Sequence, residues 1–265
     1  MRIVRFIDDR GRICHGHEYS NNTAKLLKGD IYSGFTETGD HIAVTKLLSP
    51  VHPASILCIG LNYRQHAKET GVRLPDHPVL FMKNPASLNH PEDPIIIPAS
   101  CMSPPEVDYE VELAVVIKKA AKNVKVSDAL TYVAGYTIGN DVSARRWQKH
   151  AGGGQWVKGK SFDTFCPLGP VLVTADELTD PQSLDIKCTV NGKIMQDANT
   201  SDMIFSVAEI IAYLSDDMTL LPGTVILTGT PSGVGFVRKP LVYLKSGDTV
   251  TMTIDRIGTL ISPVV

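Results

Sequence analysis

The segment over residues 105–117 constrains the fold of this chain more than any other, because its residues alternate in character. Its odd-numbered positions are apolar or aromatic, and its even-numbered positions begin with four acidic residues, Glu106, Asp108, Glu110 and Glu112. An alternation with a period of two predicts a β-strand. The same period places Glu110 and Glu112 on one face of that strand, about 7 Å apart along the backbone.

Two interpretations of these neighbouring carboxylates follow from the strand alone. Carboxylates this close repel each other and burial raises the cost, so a buried pair should have a cation between them. The other interpretation is a solvated acidic face on an edge strand, which is the commoner fate of such a face. The run Leu-Ala-Val-Val-Ile over residues 113–117 indicates that the strand enters a core. The strand by itself leaves both interpretations open.

Composition excludes several classes of protein. A chain of 265 residues, of which 43% are hydrophobic and 20% charged, can fill the core of one large domain or of a large and a small one. A formal net charge of -2 without a basic run argues against nucleic acid or an anionic membrane as the main partner. The longest apolar runs are short and broken, so no segment is expected to span a bilayer.

Two further features predict a cytoplasmic protein. Residues 1–12 alternate like a strand and then turn, without the apolar stretch of a signal peptide or the make-up of a transit peptide. The five cysteines are scattered, odd in number and without C-x-x-C spacing, which is typical of free thiols in a reducing compartment.

The order of the predicted elements favours a mainly β fold with short helices, of the α+β class. Strands outnumber helices, and the regular strand–helix alternation of a doubly wound fold is missing. Residues 48–53 contain Pro50 and Pro53 and are predicted to form a linker, because neither proline continues an element. We therefore predict a small N-terminal domain over residues 1–50 and a main domain over residues 51–265.

A histidine and a glutamate share one face of a short predicted helix. Asn62 is expected to cap this helix, which runs to about residue 70 and is closed by Gly71. His66 and Glu69 are three residues apart, and a glutamate beside a histidine can fix its tautomer and raise its basicity, as a general base needs. The alternative is an exposed polar pair, since most helical histidines are not catalytic.

Asp141 follows an apolar strand predicted over residues 132–138. It is expected to cap a helix over residues 142–148, from one side of which Arg145 and Gln148 project. The alternative is a metal ligand, which requires the carboxylate of Asp141 to turn away from the helix toward the two glutamates of the acidic strand.

Four further segments are candidates for the site. Lys83 follows a strand predicted over residues 79–82 and is either a surface lysine or part of the site. Lys160 is flanked by small residues that would let a substrate approach the backbone. The glycines at 152–154 form either a linker or a lid. Residues 228–233 offer N–H groups and hydroxyls to an anion, although a tight turn explains their glycines equally well.

Two local signals are structural. Asn191 and Gly192 predict a type I′ turn in a hairpin over residues 184–196. Ser206 and Glu209 are spaced as a capping box that begins a helix.

Five short motifs together resemble the fumarylacetoacetate hydrolase family, in particular its small domain-containing members. The resemblance runs from residue 56 to residue 265, and the motifs occur in the family's order. It implies a mixed β-roll core preceded by a small N-terminal domain, a catalytic role for residues 51–265, and a homodimer. The motifs are GLNYRQHA (60–67), DYEVEL (108–113), GNDVSAR (139–145), GKSFD (159–163) and LTGTPSG (227–233).

The resemblance implies a divalent-metal site and the residues around it. Glu110, Glu112 and Asp141 would be the ligands, and three carboxylates without Cys or His select a hard cation, Mg²⁺ or Mn²⁺, with Ca²⁺ as a substitute in a crystal. His66 would be the general base that activates water, oriented by Glu69. The candidate residues for binding and polarising the substrate are Lys160, Arg145, Gln148, Thr230 and Lys83.

The chain departs from the family's pattern at three places. Arg146 stands where an acidic residue is usual, and Lys118 where a glycine is common. Cys58 and Ile59 occupy the region from which larger members supply a fourth carboxylate. The third departure would leave that coordination position to water or to a substrate oxygen.

The implied reaction is metal-assisted hydrolysis of a C–C bond in a diketo acid, and it proceeds through an enolate. The substrate would be an acylpyruvate, fumarylpyruvate or a compound like fumarylacetoacetate. The same enolate would serve an oxaloacetate decarboxylase, a keto–enol tautomerase or a 2-hydroxymuconate-type isomerase. Two alternatives are not enzymes: a dicarboxylate-binding protein that keeps the metal, and a β-rich scaffold with structural Ca²⁺.

Overall fold

The fold is mainly β in a computed structural model of the chain that describes residues 1–151 and 153–265. The strands among the described residues are β1 Arg2–Ile7, β2 Ile13–Ser20, β3 Thr23–Asp30, β4 Gly34–Ala43, β5 Lys46–Leu48, β6 Ile56–Gly60, β7 Val79–Lys83, β8 Leu88–Asn89, β9 Val107–Asp108, β10 Val111–Ile117, β11 Val133–Asn140, β12 Ser143–Ala144, β13 Cys166–Thr174, β14 Asp185–Val190, β15 Lys193–Asn199, β16 Val225–Leu227, β17 Thr249–Ile254 and β18 Gly258–Pro263.

The helices are short, as the sequence predicts, and none of those in the described residues is long and apolar enough to cross a membrane. The α-helices are α1 Arg64–Thr70, α2 Arg145–Lys149, α3 Val157–Lys160 and α4 Val207–Ser215, and the 3₁₀ helices are Pro85–Ser87, Ala99–Cys101, Val126–Tyr132, Thr200–Asp202 and Gly235–Val237.

Three sheets organise the strands. The largest runs in the order β4-β3-β2-β1-β13-β11-β10-β16-β6-β7, with β5 pairing with β1 and β8 with β13. A four-stranded sheet has the order β15-β14-β17-β18, and β9 pairs with β12. The predicted hairpin is β14–β15, with Asn191 and Gly192 at positive φ in its turn. The predicted capping box of Ser206 and Glu209 begins α4.

Residues 113–117 of strand β10 lie at the centre of the core because both faces of this part of the strand are apolar. Leu113 and Val115 pack in the cluster that includes the four-stranded sheet. Ala114 and Val116 pack on the other side, in the cluster that includes residues of β6 and β16. A strand covered on both faces is expected to read as a continuous hydrophobic run, as residues 113–117 do. Every residue of β10 is buried.

The first fifty residues join the large sheet through β1, which pairs with β13. Arg2 lies opposite Val173 and Ile3 opposite Leu172, so these strands continue the sheet of the main body. The division into domains at residues 50 and 51 stays a prediction.

The acidic segment is not one continuous strand. It is interrupted at Tyr109 and Glu110, because β9 pairs with β12 whereas β10 pairs with β11 and β16. Side chains accept the backbone N–H groups at the interruption. The N–H of Glu110 donates to Asn140 Oδ1 at 3.2 Å, and the N–H of Val111 donates to Gln196 Oε1 at 3.0 Å.

Two predicted helix caps are wrong, for the same physical reason. Tyr63 rather than Asn62 precedes α1, because the side chain of Asn62 bonds Phe205 and Thr228 instead. Helix α2 begins at Arg145, so Asp141 does not cap it. In both cases a partner distant in sequence takes the side chain that local capping would have used.

Candidate active site

Three carboxylates meet where two neighbouring strands of the large sheet end. Glu110 directly precedes β10, Glu112 is its second residue, and Asp141 directly follows β11. The two strands are antiparallel, with Val111 opposite Asn140, so the start of one lies beside the end of the other. The three side chains are buried and have oxygen atoms within 4.8 Å of one another. A solvated acidic face is therefore excluded, and Asp141 does turn toward the glutamates.

Two buried lysines offset part of this negative charge. Lys160 Nζ lies 2.7 Å from both Glu110 Oε2 and Asp141 Oδ2, so a cation does sit within the cluster. Lys83 Nζ donates to Asp141 Oδ1 at 2.6 Å and is not the surface lysine of the alternative. Burial by itself would raise the pKa of Glu110, but Lys160 and Arg145 outweigh it and lower that pKa to about 2.

Glu112 is the carboxylate for which no ion pair forms among the described residues. Its Oε2 accepts the N–H of Gly229 at 2.7 Å. Burial, and then the charges of Asp141 and Glu110, raise the pKa of Glu112 well above its usual range. A divalent cation would relieve this repulsion, and an all-carboxylate set suits a hard cation such as Mg²⁺ or Mn²⁺. The residues therefore fit the metal that the sequence predicts.

Arg145 is held by carboxylates on two sides. Its Nε donates to Asp108 Oδ2 at 2.9 Å, its Nη2 lies 2.7 Å from Glu110 Oε1, and its Nη1 donates to Gln148 at 3.0 Å. Asp108 also accepts two backbone N–H groups from the 3₁₀ helix Gly235–Val237. Sequence reasoning did not assign Asp108 to the site, although its place in the acidic alternation is the signal that could have done so.

His66 and Glu69 form the pair that their spacing predicts. His66 Nδ1 lies 2.7 Å from Glu69 Oε1, and the N–H of Gly233 donates to Glu69 Oε2 at 2.9 Å. A carboxylate at this distance holds the proton on Nδ1, which leaves Nε2 as the basic nitrogen. His66 is only 6% exposed, so the alternative of an exposed polar pair is wrong. Gly71 closes α1 at φ 69°, as predicted.

A cavity of about 220 Å³ joins these groups. It is lined by aromatic and aliphatic side chains and by polar and charged groups. The predicted site residues that line it are His66, Glu110, Glu112, Arg145, Gln148, Lys160 and Thr230.

Of the other three predicted residues, two bond residues of this lining and the third bonds one of those two. Glu69 bonds His66, Asp141 bonds Lys160, and Lys83 bonds Asp141. The structure thus brings all ten candidate residues into one contiguous site. The chemical role assigned to each of them stays a prediction.

The loop after β16 donates N–H groups to carboxylates of the protein itself. Gly229 donates to Glu112 and Gly233 to Glu69. Thr230 Oγ1 donates to the carbonyl of Val111 at 3.1 Å and accepts from Gln196 at 2.7 Å. This loop therefore connects the His66–Glu69 pair to the carboxylate cluster.

Sequence reasoning missed the aromatic wall of the cavity. Trp156 packs edge-on against Phe81, with ring centroids 5.2 Å apart, and Lys160 Nζ lies 5.1 Å from the ring of Phe81. Phe236 and Lys149 also line the cavity. No periodicity marks these residues, because each comes from a different segment.

The departures from the family's pattern lie outside the polar part of the site. Arg146 pairs with Glu106 at 3.0 Å, so its charge is balanced away from the cavity lining. Lys118 is exposed and follows the far end of β10 from Glu112. Cys58 is fully buried, and Ile59 is an apolar part of the lining. The predicted lid includes Gly152, which lies outside the described residues.

The family model described as fumarylacetoacetate (FAA) hydrolase C-terminal matches residues 55–265. The chain is 50% identical over 222 residues to a protein of Rattus norvegicus named oxaloacetate tautomerase Fahd2a, mitochondrial. That match covers 84% of this chain and 70% of the relative.

Among the solved structures that resemble the whole chain are two from Mycobacterium species. One, from Mycobacterium marinum, is named 2-hydroxyhepta-2,4-diene-1,7-dioate isomerase; it has a TM-score of 0.85 and 39% identity, covering 100% of this chain and 98% of the other. The second, from Mycobacterium smegmatis, is named 5-carboxymethyl-2-hydroxymuconate delta-isomerase; it has a TM-score of 0.87 and 36% identity, covering 100% and 99%.

Proposed function

Because the chain belongs to the fumarylacetoacetate hydrolase family, we propose that it is a divalent-metal-dependent keto–enol tautomerase of a small dicarboxylic 2-oxo acid such as oxaloacetate. The observation that carries the proposal is the shared cavity, which His66 lines together with Glu110, Glu112 and Lys160. Its volume of about 220 Å³ is below the roughly 300–1,000 Å³ of drug-sized pockets and suits a small metabolite.

Tautomerisation moves one proton between carbon 3 of the acid and the oxygen on carbon 2. From keto to enol, His66 Nε2 removes the proton from carbon 3 and the resulting imidazolium delivers it to the oxygen on carbon 2. From enol to keto the same two transfers run in reverse, while Glu69 holds the other proton on Nδ1. Glu69 also stabilises the imidazolium that forms in between, and it is itself fixed by the N–H of Gly233.

The developing negative charge on the oxygen of carbon 2 requires a positive environment. Lys160 has three N–H donors, of which two bond Glu110 and Asp141, so the third is available to that oxygen. A divalent cation held by Glu110, Glu112 and Asp141 would add Lewis-acid stabilisation of the same charge. We propose Mg²⁺ or Mn²⁺ for this site.

Tautomerisation is preferred to the C–C bond hydrolysis that the sequence first suggests. Hydrolysis requires a positioned water and a carbon leaving group in addition to the base. Tautomerisation requires only the base and a stabilised oxygen. Names given to similar proteins, an oxaloacetate tautomerase and two isomerases, support this preference.

A homodimer and a cytoplasmic location are further proposals. The homodimer is based on the family resemblance, and the cytoplasmic location on the free cysteines.

The deciding experiment follows the enol of oxaloacetate spectroscopically with Mn²⁺ or Mg²⁺ and with EDTA as the control. Acetylpyruvate and fumarylpyruvate are offered in parallel, and release of CO₂ from oxaloacetate is recorded. We expect enol–keto conversion that EDTA abolishes. Rapid cleavage of acetylpyruvate without enol–keto conversion would establish the hydrolase instead. Binding of oxaloacetate without any turnover would favour the dicarboxylate-binding protein.

A further inference from the structure

Lys149 differs from the other cations of the cavity because it has no carboxylate within ion-pair distance in the part of the chain that the structure describes. Arg145 is paired with Asp108 and Glu110, and Lys160 with Glu110 and Asp141. Lys149 is the last residue of α2, is exposed overall, and lines the same cavity. Its charge is therefore available to an anion that enters the cavity.

Phe236 holds this lysine in place. Lys149 Nζ lies 3.5 Å from the centroid of the Phe236 ring, and the guanidinium carbon of Arg145 lies 4.4 Å from the same centroid. The ring attracts both cations through its quadrupole. Burial, and then repulsion by the charge of Arg145, lower the pKa of Lys149, and the charges of Asp108 and Glu110 offset only part of this effect. An anion beside Lys149 would relieve that repulsion.

A dicarboxylic substrate supplies such an anion. Its 2-oxo end must lie between His66 and Lys160, where the proposed proton transfer takes place. The second carboxylate then extends along the cavity and requires a cation that is not already paired with a carboxylate of the protein. We propose that Lys149, held on Phe236, binds this distal carboxylate and makes the site prefer dicarboxylic over monocarboxylic 2-oxo acids. The inference rests on the proposed function only for the placement of the 2-oxo end.

The test compares binding of L-malate and L-lactate to the Mn²⁺-loaded protein by calorimetry. The two acids share the 2-hydroxy acid group and differ in the distal carboxylate. We expect the unaltered protein to bind malate more tightly than lactate. Lys149→Met should lower the ratio of the two affinities about tenfold, the scale of one charge-assisted hydrogen bond. Lys149→Arg should keep most of the preference.

Lys158→Met is the matched control. Lys158 is also an exposed lysine over an aromatic ring, with its Nζ 4.5 Å from the centroid of Phe162, but it does not line the cavity. This variant should leave the malate-to-lactate ratio unchanged. An equal fall of the ratio in both variants, no fall in Lys149→Met, or no binding of malate to the unaltered protein would each overturn the proposal.

The tautomerase assay separates this inference from the proposed function. Enol–keto conversion with a malate preference that does not depend on Lys149 would overturn the distal-carboxylate site alone. A malate preference that depends on Lys149, without any enol–keto conversion, would support the distal-carboxylate site and contradict the tautomerase.

Discussion

At the scale of single residues, charge balance explains the site better than any motif does. Three buried carboxylates are crowded together. Glu110 and Asp141 each have a cation within 2.7 Å, whereas among the described residues Glu112 bonds only the N–H of Gly229. A folded protein tolerates an unpaired buried charge only at a cost in stability. Replacing Glu112 by an uncharged residue should therefore stabilise the metal-free protein and weaken metal binding at the same time.

Glu112→Gln is expected to weaken Mn²⁺ binding about tenfold or more, because one anionic ligand is lost. The same change should raise the free energy of unfolding of the metal-free protein by roughly 1 kcal/mol, since a buried repulsion disappears while the amide still accepts from Gly229. Calorimetric titration and thermal unfolding in EDTA measure the two effects. Glu37→Gln, in the exposed part of β4, is the control. Unchanged Mn²⁺ affinity in Glu112→Gln would count against the metal site.

His66→Ala should lower kcat for enol–keto conversion by about 10²- to 10⁴-fold, the range for loss of a general base. Mn²⁺ affinity should stay the same, because His66 is not a ligand. Glu69→Gln should give a smaller loss, since the amide still contacts the imidazole but stabilises its charged form less. His41→Ala, exposed on β4, is the control. Full activity of His66→Ala would exclude this residue as the base.

At the scale of elements, the close approach of α2 and α3 positions the cations of the site. Gly159 makes this approach possible: a Cβ there would lie 2.4 Å from the N of Gln148 and 2.8 Å from the O of Ala144. Because both neighbours are backbone atoms, no rotamer change can relieve the overlap. Lys160 follows directly and reaches Glu110 and Asp141 only while the two helices stay in contact.

Gly159→Ala is therefore expected to separate α2 from α3 and to shift Lys160 away from the carboxylates. We expect a loss of about 1–3 kcal/mol in the free energy of unfolding, typical of overpacking, together with a clear fall in kcat. Thermal unfolding measures the loss of stability, and the enol–keto assay measures the fall in kcat. Lys158→Ala changes the neighbouring exposed residue of the same helix and should alter neither stability nor kcat. A Gly159→Ala protein of normal stability and activity would contradict this account of helix packing.

At the scale of the whole molecule, the site lies where separate parts of the fold meet. Strands β10 and β11 and the residues next to them carry the carboxylates. Helix α1 carries the proposed base, and α2, α3 and the end of β7 carry the cations. The loop after β16 connects two of these parts through Gly229 and Gly233. A ligand that bridges the carboxylates should therefore stabilise the molecule as a unit.

Mn²⁺ should raise the unfolding temperature, because it binds the assembled site and the unfolded chain holds no such cluster. At a free concentration one hundred times its dissociation constant the gain is about 2.7 kcal/mol, which is several degrees for a chain of this size. EDTA should reverse the shift, and Glu112→Gln should reduce it at the same Mn²⁺ concentration. An unfolding temperature that does not respond to Mn²⁺ would contradict a metal site built from the folded strands.

The amino-acid sequence by itself determined the mainly β fold, the capping box of α4, the β14–β15 hairpin and the ten candidate residues, because each depends on local periodicity, turn chemistry or short motifs. Only the tertiary structure decided that Asp141 does not cap α2 and lies beside Glu110 and Glu112, that Arg146 is paired with Glu106, and that Lys149 lies on Phe236. Local pattern shows which face of an element a residue occupies. Which distant face it meets depends on packing between elements, and the charges in this cavity are balanced across such contacts.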